Sequence, residues 1–481
     1  MKNISRRKFI ETTGITAGAL LFSSEIRANL FNKFRKKRPN IVFVLADQWR
    51  AQAVGYAGND DVITPNLDKL YGESISFRYA VSCMPVSTPY RASLMTGQYA
   101  QTNGLFLNDL QLNPKANSIG KHYKSAGYNT AYIGKWHLNG NGRSNYIAPE
   151  NRQGFDYFKA LECTHEYNNS WYYDNDDTEK KMWNGYDVFE QTKDACHYIE
   201  ENKESPFFMI LSWGPPHNPY ETAPQKYHDM YKDKSIKLRP NVPKRFKNAA
   251  EKDLKGYYAH ITAMDDCIGE LQKTIANNGI EDNTIFIFTS DHGDMLYSQG
   301  QMRKQRPYDE SILVPFLLKY PDTFGKKGRV ADTLLNVVDI MPTLLSMSGL
   351  TIPKSVEGKN LYPILKGSKK DDIEGTLIEC ITPFGGFTRN GGGREYRGVR
   401  TKRYTYVKDL NGPWLLFDNV NDPFQMKNLV SDASQKDVLT SLDELLTSLL
   451  LKKGDEFLPG DEYIRRWGYA VNKSGNIDYT E

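Results

Sequence analysis

Four continuous apolar runs constrain this chain most: Asn40 to Ala46, Asn129 to Ile133, Pro206 to Ser212 and Thr284 to Thr289. Runs of this kind, rich in β-branched and aromatic residues and lacking polar alternation, are expected of strands buried on both faces. Helical patterns lie between them, at Ser118 to Ser125, Asp187 to Glu201 and Lys252 to Asn278. The alternation predicts an α/β fold, a mostly parallel central sheet covered by helices on both faces. Each run ends in a polar cluster: Asp47-Gln48, Lys135-Trp136-His137, His217-Asn218 and Asp291-His292. In open α/β sheets, sites form outside the carboxyl ends of the strands. Residues far apart in sequence are therefore expected to converge on one edge. Carboxylates, an amide, histidines and a lysine form an inventory for a metal ion plus acid–base chemistry on an anion.

At 481 residues the chain is long for a single core, and its character changes after a helical stretch at Val337 to Ser348. The polar stretch Gly367 to Asp372 marks a boundary. Short strand-like pieces follow at Gly375 to Ile381, Tyr396 to Val407 and Trp414 to Phe417, then a helix at Asp437 to Leu451. The expected division is a large domain over 38–366 and a smaller C-terminal α+β domain with an antiparallel sheet over 374–481. At the other end, Ser5-Arg6-Arg7-Lys8-Phe9-Ile10 precedes the apolar run Gly14 to Phe22. A basic segment before a short apolar one reads as a twin-arginine-like export signal over 1–28, and implies a periplasmic or secreted protein. That run is too short to span a bilayer, so no membrane span is expected in the mature protein. A net charge of +4 over this length gives no support to nucleic-acid binding. The five cysteines are scattered and form neither a disulfide ladder nor a paired metal spacing.

The decisive motif is Ser87-Thr88-Pro89-Tyr90-Arg91-Ala92-Ser93-Leu94-Met95-Thr96-Gly97. It resembles the signature of the type I, formylglycine-dependent sulfatases, in which a Cys or Ser followed by x-Pro-x-Arg is oxidised to 3-oxoalanine. Cys83-Met84-Pro85-Val86 is out of phase, since it places Ser87 where arginine is required. The resemblance extends from Asn40 to about Leu365. Leu416-Phe417-Asp418, Asn421-Asp422-Pro423 and Asn428-Leu429 are similar to the family's small domain. It implies an alkaline-phosphatase-like fold and a bacterial carbohydrate sulfatase of the serine-modified type, matured by a serine-type sulfatase-maturating enzyme. Asp47, Gln48, Asp291, His292 and the modified Ser87 then resemble the metal ligands. Oxygen-rich ligation suits calcium. Many sulfatases carry a second Asp at the position of Gln48 and Asn at that of His292, and the softer imidazole admits manganese as the alternative.

The same resemblance gives roles to the remaining polar residues. Arg91, Lys135 and His137 are similar to the group that holds the formylglycine and the sulfate oxygens. His217 and Lys304 resemble the leaving-group pair, with Arg303 and Arg306 close enough to Lys304 to substitute for it. One geminal hydroxyl of the hydrated aldehyde would attack sulfur, His217 would protonate the departing sugar oxygen, and His137 would help expel sulfate. Cys163 to Tyr173 and the Gly-rich Gly385 to Arg397 are expected near the site. His165, Trp171 and Arg394 are the candidates there for binding a sulfated carbohydrate. The resemblance points to oligosaccharides from an algal or host polysaccharide such as ulvan, carrageenan, porphyran or a glycosaminoglycan. The alternatives are a phosphonate or phosphate monoester hydrolase or a choline-sulfatase-like enzyme on the same scaffold, and a non-catalytic sulfoglycan-binding protein.

Overall fold

The first apolar run forms strand β1, Asn40–Asp47, buried at every position. In the computed structural model, which describes residues 38–479, β1 lies between β7 (Phe207–Pro216) and β8 (Thr284–Ser290) and is parallel to both. Strand β3 (Asn129–Lys135) pairs parallel with the far side of β7. The export-signal reading of residues 1–28 falls outside the described residues.

Six further strands complete a ten-stranded sheet: β2 (Ile75–Val81), β4 (Tyr157–Leu161), β5 (Trp171–Asp174), β6 (Lys181–Met182), β9 (Phe316–Lys319) and β10 (Arg329–Asn336). Its order is β10-β2-β9-β8-β1-β7-β3-β4-β5-β6. Strand β9 runs antiparallel to β2 and β8, and the pairs β4–β5 and β5–β6 are antiparallel. These outer strands are short or carry charge, such as Arg78 in β2 and Asp332 in β10. They lack the unbroken apolar text that announces the central ones.

Alternate side chains of β1 feed two cores. Ile41, Phe43 and Leu45 pack with helices α1 (Ser87–Thr96), α2 (Ile119–Ser125) and α5 (Val337–Met347). Val42, Val44 and Ala46 pack with α3 (Asp187–Asn202) and α4 (Lys247–Asn277). Helix α4 buries Leu254, Tyr257, Ile261, Met264, Ile268, Leu271 and Ile275, a spacing of three and four that makes one apolar stripe. The α/β architecture with helices on both faces is the one expected.

The C-terminal region builds a four-stranded antiparallel sheet from β11 (Gly375–Cys380), β12 (Tyr396–Thr401), β13 (Tyr404–Asp409) and β14 (Gly412–Asp418), in that order. The stretch expected as one strand from Tyr396 to Val407 is a hairpin that turns at Lys402-Arg403. Helix α6 (Lys436–Lys453) covers one face through Leu442, Leu446 and Leu450. Residues of the other face, among them Ile378, Tyr396 and Phe417, pack with Val81, Ile312 and Leu313 of the large-sheet region. A further helix, α7 (Gly460–Trp467), spans about two turns and is too short for its pattern to announce it. Residues from Pro39 onward form one compact unit. All five cysteines are free and buried, and no helix among the described residues is long and apolar enough to cross a membrane.

Candidate active site

Strands β8, β1, β7 and β3 are neighbours and parallel, so their carboxyl ends share one edge. Asp47 closes β1, Lys135 closes β3, His217 follows β7, and Asp291 and His292 follow β8. Ser87 opens helix α1 and is wholly buried. The Ser87 hydroxyl lies 3.1 Å from Asp47 Oδ2 and 3.2 Å from His292 Nε2. Residue 87 therefore stands at a helix N-terminus, where unpaired amides and the helix dipole favour negative charge.

Ligand atoms of Asp47, Asp291 and His292 lie within 4.8 Å of one another. His292 Nδ1 donates to the Gly293 carbonyl at 3.0 Å, which leaves Nε2 bare toward the two carboxylates. Gln48 Nε2 donates to Asp294 Oδ2 at 2.7 Å. That bond spends the amide's donor, and Gln48 Oε1 is buried without a partner, as is Asp47 Oδ1. Each such orphaned acceptor costs ~1–3 kcal/mol unless a cation or donor meets it. Gln48 also holds a left-handed backbone, φ 66°, with its N–H donating to Asp291 Oδ1 at 3.0 Å. A non-glycine residue held there costs ~1–3 kcal/mol, and such strain gathers at functional sites. Carboxylate and amide oxygens with one imidazole fit a hard divalent cation.

Three cations surround this nest. Arg91 Nη2 lies 3.3 Å from both Asp47 Oδ2 and Asp291 Oδ2, while Nη1 donates to Ser212 Oγ at 2.7 Å and the Lys135 carbonyl at 3.0 Å. Lys135 Nζ lies 2.7 Å from Asp47 Oδ2. Lys304 is close enough to act electrostatically on Asp47, His217 and His292. Its neighbours are engaged elsewhere: Arg303 reaches Tyr220, and Arg306 donates to the Gly386 carbonyl at 2.7 Å and to the Lys304 carbonyl. Burial pushes the Asp47 carboxyl up, but Lys135 and Lys304 outweigh it and hold it well below the usual range. Burial and the adjacent Asp47 charge push Asp291 up to about 6. Burial and Lys304 hold the His292 imidazole well below its ordinary value, neutral as a ligand must be.

His217 stacks on His165, ring centroids 4.6 Å apart and planes 15° from parallel, and its Nδ1 lies 2.8 Å from the Asn218 carbonyl. His137 has a left-handed backbone, φ 57°, and its carbonyl accepts from Thr88 Oγ1 at 3.0 Å, next to Ser87. His137 Nε2 lies 3.2 Å from Asp109 Oδ1, and Asp109 is gripped by Arg143 through Nε at 2.9 Å and Nη2 at 3.0 Å. Burial and Lys135 push His137 down to about 4, and its Nδ1 is buried without a partner. Trp171 is 40% exposed and shares the wall of a small cavity with Lys135 and Thr164. Arg394 lies in the loop before β12, 2.8 Å from Asp409 and 4.3 Å over the Trp414 ring. Its charge is felt at Tyr308, four residues beyond Lys304.

This geometry has known counterparts. The family model described as Sulfatase matches residues 39–350. The chain belongs to the sulfatase family. A second model, described as N-sulphoglucosamine sulphohydrolase, C-terminal, matches residues 298–452. An ulvan-active sulfatase of Formosa agariphila is 44% identical over 91% of this chain and 86% of its own length. An endo-4-O-sulfatase of Bacteroides thetaiotaomicron is 33% identical over 86% of this chain and 92% of its own. A structural-genomics crystal structure from Bacteroides fragilis superposes with a TM-score of 0.80 at 31% identity, covering 89% of this chain and 98% of that one. The fold is that of the alkaline-phosphatase-like sulfatases, and the protein is a sulfuric ester hydrolase.

Several residues of this sulfatase site escape sequence reasoning. Asp109 and Arg143 support His137 from unpatterned loops that no motif marks. Glu162 accepts backbone N–H bonds from Leu138, Asn139 and Gly140 at 2.8–3.1 Å, and so pins the turn after His137. Asp294 is legible only as the last residue of Asp291-His292-Gly293-Asp294, where a turn explains it equally well. Its use as the acceptor for Gln48 appears only in three dimensions.

Proposed function

We propose that this sulfatase removes sulfate esters from a carbohydrate through Ser87 converted to 3-oxoalanine, with Asp47, Gln48, Asp291 and His292 holding a divalent ion, calcium by its ligand chemistry. The observation that carries this reading is a buried serine at a helix N-terminus, in contact with Asp47 and His292, beside acceptors that lack donors. Relatives named for ulvan and for 4-O-sulfate support the carbohydrate. Export is proposed from the N-terminal basic and apolar text, and maturation from the serine at position 87.

The chemistry that the ion and the oxidised residue 87 supply when present is a nucleophilic hydroxyl of the hydrated aldehyde at neutral pH. The chain's own residues do the rest. Lys135 and Lys304 bring positive charge to the sulfuryl oxygens as it redistributes in the transition state. Arg91 locks the two carboxylates in place from below, with its guanidinium committed to Asp47, Asp291, Ser212 and a backbone carbonyl. His217 protonates the leaving oxygen, oriented by the Asn218 carbonyl and the His165 ring. Burial and Lys304 hold its pKa well below the ordinary imidazole value. The anionic substrate offsets Lys304, so the proton arrives with sulfate. His137, anchored by Asp109, keeps a bare Nδ1 to take a proton as sulfate departs.

Co-expression with a serine-type maturating enzyme tests the reading. The tryptic peptide covering Ser87 is expected two hydrogens lighter, and activity on sulfated oligosaccharides to rise with the modified fraction. Ser87→Ala should bind substrate and lose turnover. Full activity of protein with unmodified serine, or preference for a phosphate ester over the matching sulfate ester, would overturn it.

A further inference from the structure

Beyond helix α7 the chain packs against the stretch around Phe384 and against Arg143. Ile477 packs on the large core, and the Ser474 carbonyl accepts the Gly385 N–H at 3.1 Å. Gly475 lies so close to Pro383 and Phe384 that a β-carbon there would approach both at 3.2 Å. The same stretch, Phe384 to Gly386, is bound by the loop that carries Lys304: Gln305 Nε2 donates to the Phe384 carbonyl at 2.9 Å and Arg306 Nη2 to the Gly386 carbonyl at 2.7 Å. The turn is closed by Asn472, whose Nδ2 donates to Asp478 at 3.0 Å and whose carbonyl accepts from Gly475 at 2.9 Å. One residue later, the Tyr479 ring lies against Arg143, guanidinium carbon 3.5 Å from the ring centroid. Arg143 is the residue that grips Asp109 and, through it, His137. The segment Asn472–Tyr479 thus ties the Lys304 side of the site to the His137 side.

Tyr479 remains 40% exposed although one ring face is taken by Arg143. Here the guanidinium fixes the ring's plane, and such a pair is worth ~0.5–1 kcal/mol at an exposed position. A fixed ring with open surface, joined through Arg143 and Asp109 to His137, suits the apolar C–H face of a sugar. We propose that Tyr479 is a specificity-determining residue, a platform for the sugar ring that carries the scissile sulfate, held in place by Arg143 and by the Asn472–Asp478 turn. The proposal rests on the carbohydrate reading above.

Three variants of the mature enzyme test it: Tyr479→Ala, Tyr479→Phe and a chain stopped after Ile477. Each is assayed on a sulfated oligosaccharide and on nitrophenyl sulfate. For Tyr479→Ala and the shortened chain, kcat/KM on the oligosaccharide should fall tenfold or more, chiefly through KM, and less than threefold on the aryl ester. Tyr479→Phe should restore the oligosaccharide rate to within threefold of wild type, because the platform needs the ring and not the hydroxyl. Equal losses on both substrates would make the segment a support for Arg143 and His137, and would overturn the proposal. So would unchanged oligosaccharide kinetics in Tyr479→Ala. If the unaltered enzyme turned over the aryl ester and no sulfated saccharide, the carbohydrate reading would fail instead.

Discussion

The charge cluster around Asp47 and the one around Arg397 are both cut off from solvent, yet they are finished differently. In the C-terminal cluster, Arg397 Nε meets Asp455 at 2.5 Å, Lys453 meets Glu379 at 2.5 Å, and Gln101 donates to both carboxylates at 2.8 and 2.9 Å. Arg397 also donates to the carbonyls of Cys380 and Tyr396, at 3.1 and 3.0 Å. Two cations face two anions, and its open acceptors, Glu379 Oε1 and Gln101 Oε1, belong to a set whose charges already cancel. At the sheet edge, Arg91, Lys135 and Lys304 outnumber Asp47 and Asp291, while Asp47 Oδ1 and Gln48 Oε1 still lack donors. A surplus of cations beside unmet acceptors makes sense only if both a cation and an anion are to be received. The closed cluster serves the fold, and the open one serves the ligand.

The sharpest division should come from His217, which belongs to the open side. A general acid is worth ~10²- to 10⁴-fold. His217→Ala should cost that much on a sulfated sugar, whose alkoxide needs the proton. It should cost far less on nitrophenyl sulfate, whose leaving group does not, and barely move the melting temperature. Equal kinetic losses on the two substrates would reduce His217 to a sulfate-binding group.

Arg397 should show the opposite pattern. Arg397→Met strands Asp455 in a buried site, while Glu379 keeps Lys453, and breaking one partner of such a pair costs ~3–5 kcal/mol. Denaturation should report that loss, while turnover per folded molecule stays near wild type. The pH dependence follows from Asp455: burial pushes its carboxyl up, but Arg397 and Lys453 outweigh this and hold it below the usual range. A depressed folded pKa contributes stability above the unfolded value of ~3.9 and loses it as pH falls below that. Wild type should lose stability faster than Arg397→Met below about pH 4. Parallel acid profiles for the two proteins would show that the pair contributes nothing.

How much of this was legible follows from the same contrast. Buried parallel strands must be apolar throughout, so β1, β3, β7 and β8 announce themselves, and the polar residues at their ends mark the edge where chemistry gathers. The motif from Ser87 to Gly97 singles out Ser87 because its residues are local. Strands β2 and β10 carry Arg78 and Asp332 and do not stand out. Asp109, Arg143 and Asp294 act through partners 28, 34 and 246 positions away, and pairing at such range leaves no periodic trace. Tyr479 is hidden for the same reason. Arg303 and Arg306 stand close enough to Lys304 in sequence to substitute for it, and only the fold shows that they reach the Tyr220 hydroxyl and the Gly386 carbonyl.

The finest test concerns Gln48 and its orienting carboxylate. From sequence alone, Gln48→Asp restores the commoner sulfatase ligand and ought to be tolerated. The structure argues otherwise. Gln48 Nε2 donates to Asp294 Oδ2 at 2.7 Å, and Asp294 also accepts from the Tyr220 hydroxyl and from the backbone N–H groups of Leu296 and Arg303 at 3.0 and 3.1 Å. An aspartate at this position has no donor to give. It sets a second carboxylate against a buried one and loses a charge-assisted hydrogen bond worth ~1.5–3 kcal/mol. Gln48→Asp alone should therefore lower kcat/KM by ~10- to 100-fold, since 1.4 kcal/mol is a factor of ten, and weaken calcium binding in a direct titration. Adding Asp294→Asn puts an NH2 group at the Oδ2 position, which donates to the introduced carboxylate and to the Tyr220 oxygen, and leaves the amide oxygen to accept from the Leu296 and Arg303 N–H groups. The double variant should recover to within about threefold of wild type, a coupling a double-mutant cycle reads directly. If Gln48→Asp is as active as wild type, or if Asp294→Asn fails to rescue it, Asp294 does not set the ligand's orientation, and the open cluster is less exactingly built than its geometry implies.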